Sequence, residues 1–182
     1  GTVGATKRDC WEIVEKAVAN GQSWEELRRE YHERGIWKRA IEEVVYQAIF
    51  RPEVLEVMDE LKAMGIRLAV ASSTGLEQVK RILTMNHVWE RLETAGSGEM
   101  FKRSKPDPEI YLHTAAQLRV DPSQCLAIED STVGITAGKA AGMKAAALID
   151  DRFGFDRSLA DRELGDLRDI PALVRSLMEP EA

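Results

Sequence analysis

Cysteine is nearly absent. The two that occur in 182 residues, Cys10 and Cys125, stand far apart and outside any Cys-x-x-Cys context, which argues against a zinc site and a disulfide framework and suits a reducing compartment. Aromatic residues are sparse at 6%, and the four Trp, at 11, 24, 37 and 89, read as packing groups. No apolar run approaches the roughly 20 residues that a bilayer span needs, and no charged-then-apolar leader opens the chain. Positive charge is also in deficit: 25 Lys and Arg against 31 Asp and Glu leave a net −6, with the bases scattered among the acids. That argues against a dedicated nucleic-acid surface while leaving room for local anion sites, so the expected partner is a small molecule, with no nucleic acid and no membrane. What remains is a globular composition, 44% hydrophobic and 31% charged, sufficient for one domain or a core with a small appendage. A cytoplasmic protein, monomeric or weakly dimeric, is expected.

Thr6-Lys7-Arg8-Asp9 has a capping-box pattern, followed by Trp11, Val14 and Val18 at helical spacing up to Asn20-Gly21. Ser23 with Glu26 opens a second helical run carrying Leu27, Tyr31, Ile41, Val44, Val45 and Ala48, which Gly35 interrupts. Residues 1–50 thus give helices and no strand signal. From Arg51-Pro52 the character changes. Val54, Leu55, Met58 and Leu61 form an apolar helix face ended by Gly65, and residues 66–71 read as the first strand. The turn Ser72-Ser73-Thr74-Gly75 leads into a helix through Val79, Ile82 and Leu83, and a weaker strand lies near residues 92–95. Lys105-Pro106-Asp107-Pro108 enters a helix with Ile110, Leu112, Ala115 and Leu118; residues 125–128 are a buried strand ending in Glu129-Asp130-Ser131. A helix with Gly134 and Gly138 stops at Gly142, residues 144–149 form another strand, and Ile170-Pro171 starts a last helix through Leu173, Val174 and Leu177. Alternating strand and helix predict a mostly parallel sheet wrapped by helices. Residues 150–169, charged and mixed in sign, read as solvated loop and helix surface.

In such sheets ligands bind beyond the carboxyl ends of the strands. Three places qualify. At Ser72-Ser73-Thr74, hydroxyls and the free N–H groups of the next helix would converge on an anion, although Ser and Thr before a helix are commonly caps. Lys105, in a stretch stiffened by two prolines, offers an ammonium for a phosphate, although an isolated Lys is commonly a surface residue. Glu129-Asp130 puts two adjacent carboxylates at the end of an apolar strand, more than a cap requires and suited to Mg²⁺. Together they describe a phosphate-plus-magnesium site. Competing motifs fail: Lys139 is followed by Ala140 rather than Ser or Thr, so Gly134 to Ala140 is no P-loop and its glycines read as a small helix face packed on the sheet. Gly96-Ser97-Gly98 lacks the third glycine of a dinucleotide fingerprint, and His32, His87 and His113 have no metal-ligand spacing.

Taken together, Leu68-Ala69-Val70-Ala71-Ser72-Ser73-Thr74, Ser104-Lys105-Pro106-Asp107-Pro108, and Ile128-Glu129-Asp130-Ser131 with Gly134, Gly138 and Gly142 resemble motifs two, three and four of the haloacid dehalogenase-like (HAD) hydrolases, in the same order and at similar separations. The nearest branch is the β-phosphoglucomutase-like subfamily. The resemblance implies an α/β fold, a HAD-like Rossmannoid parallel sheet wrapped by helices over residues 51–182, with residues 1–50 forming part of a helical cap. It implies that Ser72 holds the transferring phosphoryl group through its hydroxyl, the Ser73 backbone assists, and Lys105 stabilises developing charge. Asp130 would bind Mg²⁺ with Glu129 beside it, and Lys7 in the cap would meet the distal group of the substrate.

One family element is not in this sequence: a strand ending in Asp-x-Asp-Gly, whose first Asp attacks phosphorus and whose second serves as general acid and base. With no initiator Met at Gly1, the expectation is that this strand and part of the cap precede the sequence, and that the 182 residues alone do not turn over. The leading reading is a Mg²⁺-dependent phosphatase for a small phosphorylated metabolite such as a sugar phosphate, working through an aspartyl phosphate. The alternatives are a β-phosphoglucomutase-like sugar phosphomutase and a non-catalytic phosphometabolite-binding protein that has lost its nucleophile. A phosphorelay receiver is disfavoured, because there the acid pair precedes the Lys-Pro, whereas here Glu129-Asp130 follows Lys105-Pro106.

Overall fold

The computed structural model describes residues 50–150 and 154–179, together with Glu26, Arg29 and Glu33, each of them helical. The 1–50 cap assignment, and Lys7 with it, lies otherwise outside the described residues. The ordered elements begin with α1 (Glu53–Ala63), entered through Pro52 and ended where Gly65 takes a φ of 78°, a left-handed conformation that glycine adopts without steric cost. Next come β1 (Ala69–Ser72), α2 (Leu76–Met85), β2 (Thr94–Ser97), α3 (Glu109–Leu118), β3 (Leu126–Glu129), α4 (Thr132–Ala140), β4 (Lys144–Leu148), β5 (Arg162–Leu164) and α5 (Ile170–Met178).

Every strand pair among the described residues is parallel. β1 pairs with β2, aligning Ser72 with Ser97, and β3–β4–β5 form a second sheet in that order. Parallel strands require crossovers: α2 supplies the one from β1 to β2 and α4 the one from β3 to β4, whereas β4 reaches β5 without a helix among the described residues. At the centre of β4, Ala145, Ala146 and Ala147 are wholly buried, and because successive strand side chains point to opposite faces, Ala146 joins Val57, Leu61, Leu164 and Ile170 on one side. Ala145 and Ala147 meet Ile135 of α4 on the other. The methyl side chains let helices approach both faces closely. A third cluster, with Ile110, Tyr111 and Ala115 from α3 and Ala127 from β3, has Ala71 of β1 packed against it; α3 thereby ties the two sheets together.

One expectation is corrected here. Residues 150–169 are not only solvated loop and helix: they contain β5, which runs parallel to β4 and buries Leu164. Its three residues include exposed Arg162 and Glu163, so no period-two apolar signal exists in the sequence. Charged residues on a short strand also suit a sheet edge, where they discourage pairing with other chains.

Candidate active site

Ser72 ends β1, and its Oγ accepts a hydrogen bond from the Thr74 N–H at 3.1 Å, so the hydroxyl shapes the turn that it also decorates. The turn is braced from β2. Ser97, fully buried, donates its hydroxyl to the Thr74 carbonyl at 2.8 Å. Gly98 allows direct backbone contact, since a Cβ there would lie 3.0 Å from the Ser73 Cα and 3.2 Å from its carbonyl oxygen. The N-terminus of α2 differs from expectation in one respect: the Leu76 N–H donates to Glu99 Oε1 at 2.9 Å. That helix N–H is therefore satisfied by a carboxylate of the protein itself, a favourable place for negative charge.

Lys105 joins the two sheets. Its side chain is only 7% exposed and that of Glu129 11%. The Nζ donates to the Ala71 carbonyl of β1 at 3.1 Å, to the Tyr111 hydroxyl at 3.2 Å, and to Glu129 Oε1 at the end of β3. The Tyr111 hydroxyl in turn donates to Glu129 Oε1. Burial first, and then the neighbouring Glu129 carboxylate, hold the phenol far above its ordinary value of 10.0, so Tyr111 stays a donor over the whole working pH range. A buried charge pair of this kind is kept by hydrogen bonds that satisfy the remaining valences, here the phenol and the β1 carbonyl.

The opposite side of Glu129 is closed as tightly. A Cβ on Gly134 would fall 1.9 Å from Oε2 and 2.2 Å from Cδ of that carboxylate. Gly134 is thus not merely part of a small face on the sheet, as its spacing suggests; the glycine makes room for Glu129. Gly138 does serve the sheet, since a Cβ there would lie 3.0 Å from the Ala127 Cβ. Ser131 caps α4 by accepting from the Gly134 N–H at 3.2 Å, which fixes the first turn beside the acid pair.

The structure thus brings Lys105 and Glu129 into contact and ties Lys105 to Ala71, the residue before Ser72. Asp130 is exposed at the end of the same strand, near enough to Tyr111 to help raise its phenol. Glu129 is engaged by Lys105 and Tyr111, so Asp130 is the member of the pair open to a cation. Its carboxylate is a hard oxygen donor suited to Mg²⁺ as one ligand, but no group of three or more His, Cys, Asp or Glu that could hold a metal occurs among the described residues. Sequence reasoning missed Tyr111, Ser97 and Glu99. Tyr111 follows Lys105 by six residues and lies in the apolar run that Ile110 opens in α3, so its phenol, which needs a polar partner when buried, was the one weak signal.

The turn after β1, the buried Lys105 and the acid pair after β3 thus lie together at one end of the parallel strands. The haloacid dehalogenase-like hydrolase profile matches residues 2–148, and the chain belongs to that family. Hexitol phosphatase B of Escherichia coli K12 is 36% identical over 151 residues, covering 80% of this chain and 66% of that protein. Protein CbbY of Rhodobacter capsulatus is 32% identical over 120 residues, 64% of this chain and 53% of that protein. Among solved structures, β-phosphoglucomutase from Clostridium difficile superposes with a TM-score of 0.81 over 96% of this chain and 78% of its own, at 19% identity, a likeness of fold. The chain spans about two thirds or less of these curated relatives.

Proposed function

We propose that the whole protein is a phosphatase that removes phosphate from a small phosphorylated metabolite such as a sugar phosphate, depending on Mg²⁺ and using an aspartyl-phosphate intermediate. The observation that carries this reading is the Lys105 bridge: a buried ammonium bonded at once to the β1 carbonyl next to Ser72 and to Glu129 at the end of β3. An ammonium fixed there meets the charge of a phosphoryl group lying on the Ser72–Thr74 turn. The name of the 36%-identical relative, a hexitol phosphatase, supports a phosphorylated polyol or sugar as substrate.

In this reading Ser72 donates its hydroxyl to a phosphoryl oxygen, the Ser73 backbone assists, and Lys105 balances the charge that develops on the equatorial oxygens. Glu129 holds Lys105 in place. Mg²⁺ would be held by Asp130 and would supply further charge neutralisation. An aspartate carboxylate attacks phosphorus as the sugar oxygen leaves with a proton, and water then hydrolyses the acyl phosphate, returning the carboxylate and inorganic phosphate. The Asp-x-Asp-Gly segment that carries this nucleophile in the family is not within these 182 residues, so we propose that they do not turn over alone. Lys7 would contact the distal end of the substrate. The working protein would be cytoplasmic and monomeric or weakly dimeric, with no nucleic-acid or membrane partner.

The test is turnover of a panel of hexitol, hexose and pentose phosphates by the full-length protein, with and without Mg²⁺, beside Asp130→Ala. The expected result is Mg²⁺-dependent phosphate release that falls by about 10²-fold or more in the variant. Tight binding of phosphorylated sugars without release would instead favour a binding protein. Interconversion of sugar phosphates without net release would favour a mutase. An Asp130→Ala variant with unchanged, still Mg²⁺-dependent turnover would remove the metal assignment.

A further inference from the structure

An ammonium has three N–H donors and no acceptor. Around Lys105 those donors are matched one for one: the Ala71 carbonyl, Glu129 Oε1 and the Tyr111 hydroxyl oxygen. Tyr111 has a single hydroxyl proton and gives it to Glu129, so toward Lys105 its oxygen can only accept. The ring adds a second contact, its centroid 4.8 Å from the ammonium, within cation–π range. Tyr111 is itself buried in the α3 cluster, which fixes where its oxygen sits.

A phosphoryl oxygen can bond Lys105 only by taking over one of these three protons. The three acceptors are not equal. The Ala71 carbonyl is held by the β1 backbone, and Glu129 is the charged partner, whereas the phenol oxygen is neutral, with the longest of the three contacts at 3.2 Å; hydrogen bonds with an ionised partner are the stronger class. We propose that Tyr111 is a positioning residue for Lys105: its oxygen holds the one ammonium proton that passes to the phosphoryl group on binding, while its O–H keeps Glu129 in place throughout. This rests on the reading of the site as one for phosphate, and it adds a residue and an exchange of partners to it.

Tyr111→Phe in the full-length protein removes the oxygen and keeps the ring. Two measurements decide the matter: kcat and KM taken separately on the best sugar phosphate, and proton exchange of the Lys105 ammonium in ¹⁵N-lysine-labelled protein without substrate, the signal being identified by its loss in Lys105→Met. The expected result is kcat lower by about tenfold with KM within about twofold of wild type, and ammonium protons exchanging with water about tenfold faster. Inorganic phosphate added to wild type should move the Lys105 signal, and added to Tyr111→Phe should slow its exchange toward the wild-type rate. Wild-type kcat and wild-type exchange in the Phe variant would overturn the proposal. If Lys105→Met abolishes turnover while Tyr111→Phe changes neither quantity, the Tyr111 inference alone fails. If wild type releases no phosphate from any substrate and phosphate leaves the Lys105 signal unmoved, the phosphate reading falls and the proposal with it.

Discussion

Glycine to alanine inside a helix ordinarily stabilises a protein by about 1 kcal/mol, because alanine has the higher helix propensity and the unfolded chain loses entropy. At Gly134, in the first turn of α4, the sign should reverse. The new Cβ would lie 1.9 Å from Glu129 Oε2, far inside van der Waals contact. A carboxylate at the end of a free side chain would swing aside at little cost, but this one is bonded to Lys105 and Tyr111 on its other oxygen. Either α4 moves off the sheet, at an overpacking cost of about 1–3 kcal/mol, or Glu129 leaves both partners and strands a buried ammonium, which costs about 3–5 kcal/mol. The cheaper route sets the outcome. After the propensity gain, a net loss of up to about 2 kcal/mol follows. Urea unfolding at constant m measures it through the midpoint. In a Glu129→Ala background the obstruction is gone, and the same substitution should be stabilising by up to about 1 kcal/mol, so the double-mutant cycle should show a coupling of about 1–3 kcal/mol. If Gly134→Ala stabilises both backgrounds equally, Glu129 is not clamped between α4 and Lys105, and the reasoning about the site is wrong.

Ser97→Ala removes the donor to the Thr74 carbonyl without changing the backbone; a loss of about 1 kcal/mol in unfolding and weaker inorganic phosphate binding by the full-length protein are expected, checked by urea titration and calorimetry. Asp161 accepts from Lys139 and from the Ala145 N–H, and these hydrogen bonds lower its carboxyl below the ordinary 3.8. A lowered folded value means the unfolded chain binds the proton first, so the contribution of Asp161 is complete above about pH 4 and disappears as pH falls through the folded value. Asp161→Asn should therefore reduce stability at neutral pH and flatten its decline on acidification, read from thermal midpoints between pH 2 and 7.

Much of the fold was legible because apolar runs and glycine stops recur at the intervals a parallel α/β sheet demands. Residues 66–71, 92–95, 125–128 and 144–149 each contain part of an observed strand, yet the boundaries differ. β1 begins at Ala69, while the preceding Ile66 and Leu68 pack against the α1–β4 cluster and the Leu68 carbonyl accepts from the Glu93 N–H at 2.9 Å. β5 was hidden because its pairing is dictated by β4 and not by its own three residues. In the site, Ser72 and Glu129 announced themselves by type and place at strand ends, and Lys105 by the two prolines that follow it. Tyr111 did not, since an aromatic on a helical stripe reads as core, and its hydroxyl matters only once two sheets place Lys105 and Glu129 beside it. The role of Gly134 was hidden for the same reason: the constraint on it is a carboxylate five residues earlier, reached through the turn between β3 and α4.

A crystal structure of the full-length protein with Mg²⁺ and orthovanadate, a mimic of the transferring phosphoryl group, would show whether Ser72, Lys105 and Asp130 serve one bound phosphoryl group. Vanadate oxygens are expected within hydrogen-bond reach of Ser72 Oγ and Lys105 Nζ, with the cation on Asp130 and the Tyr111 oxygen no longer bonded to the ammonium. Vanadate bound away from the ends of β1 and β3, with Lys105 still holding all three of its protein partners, would contradict this arrangement.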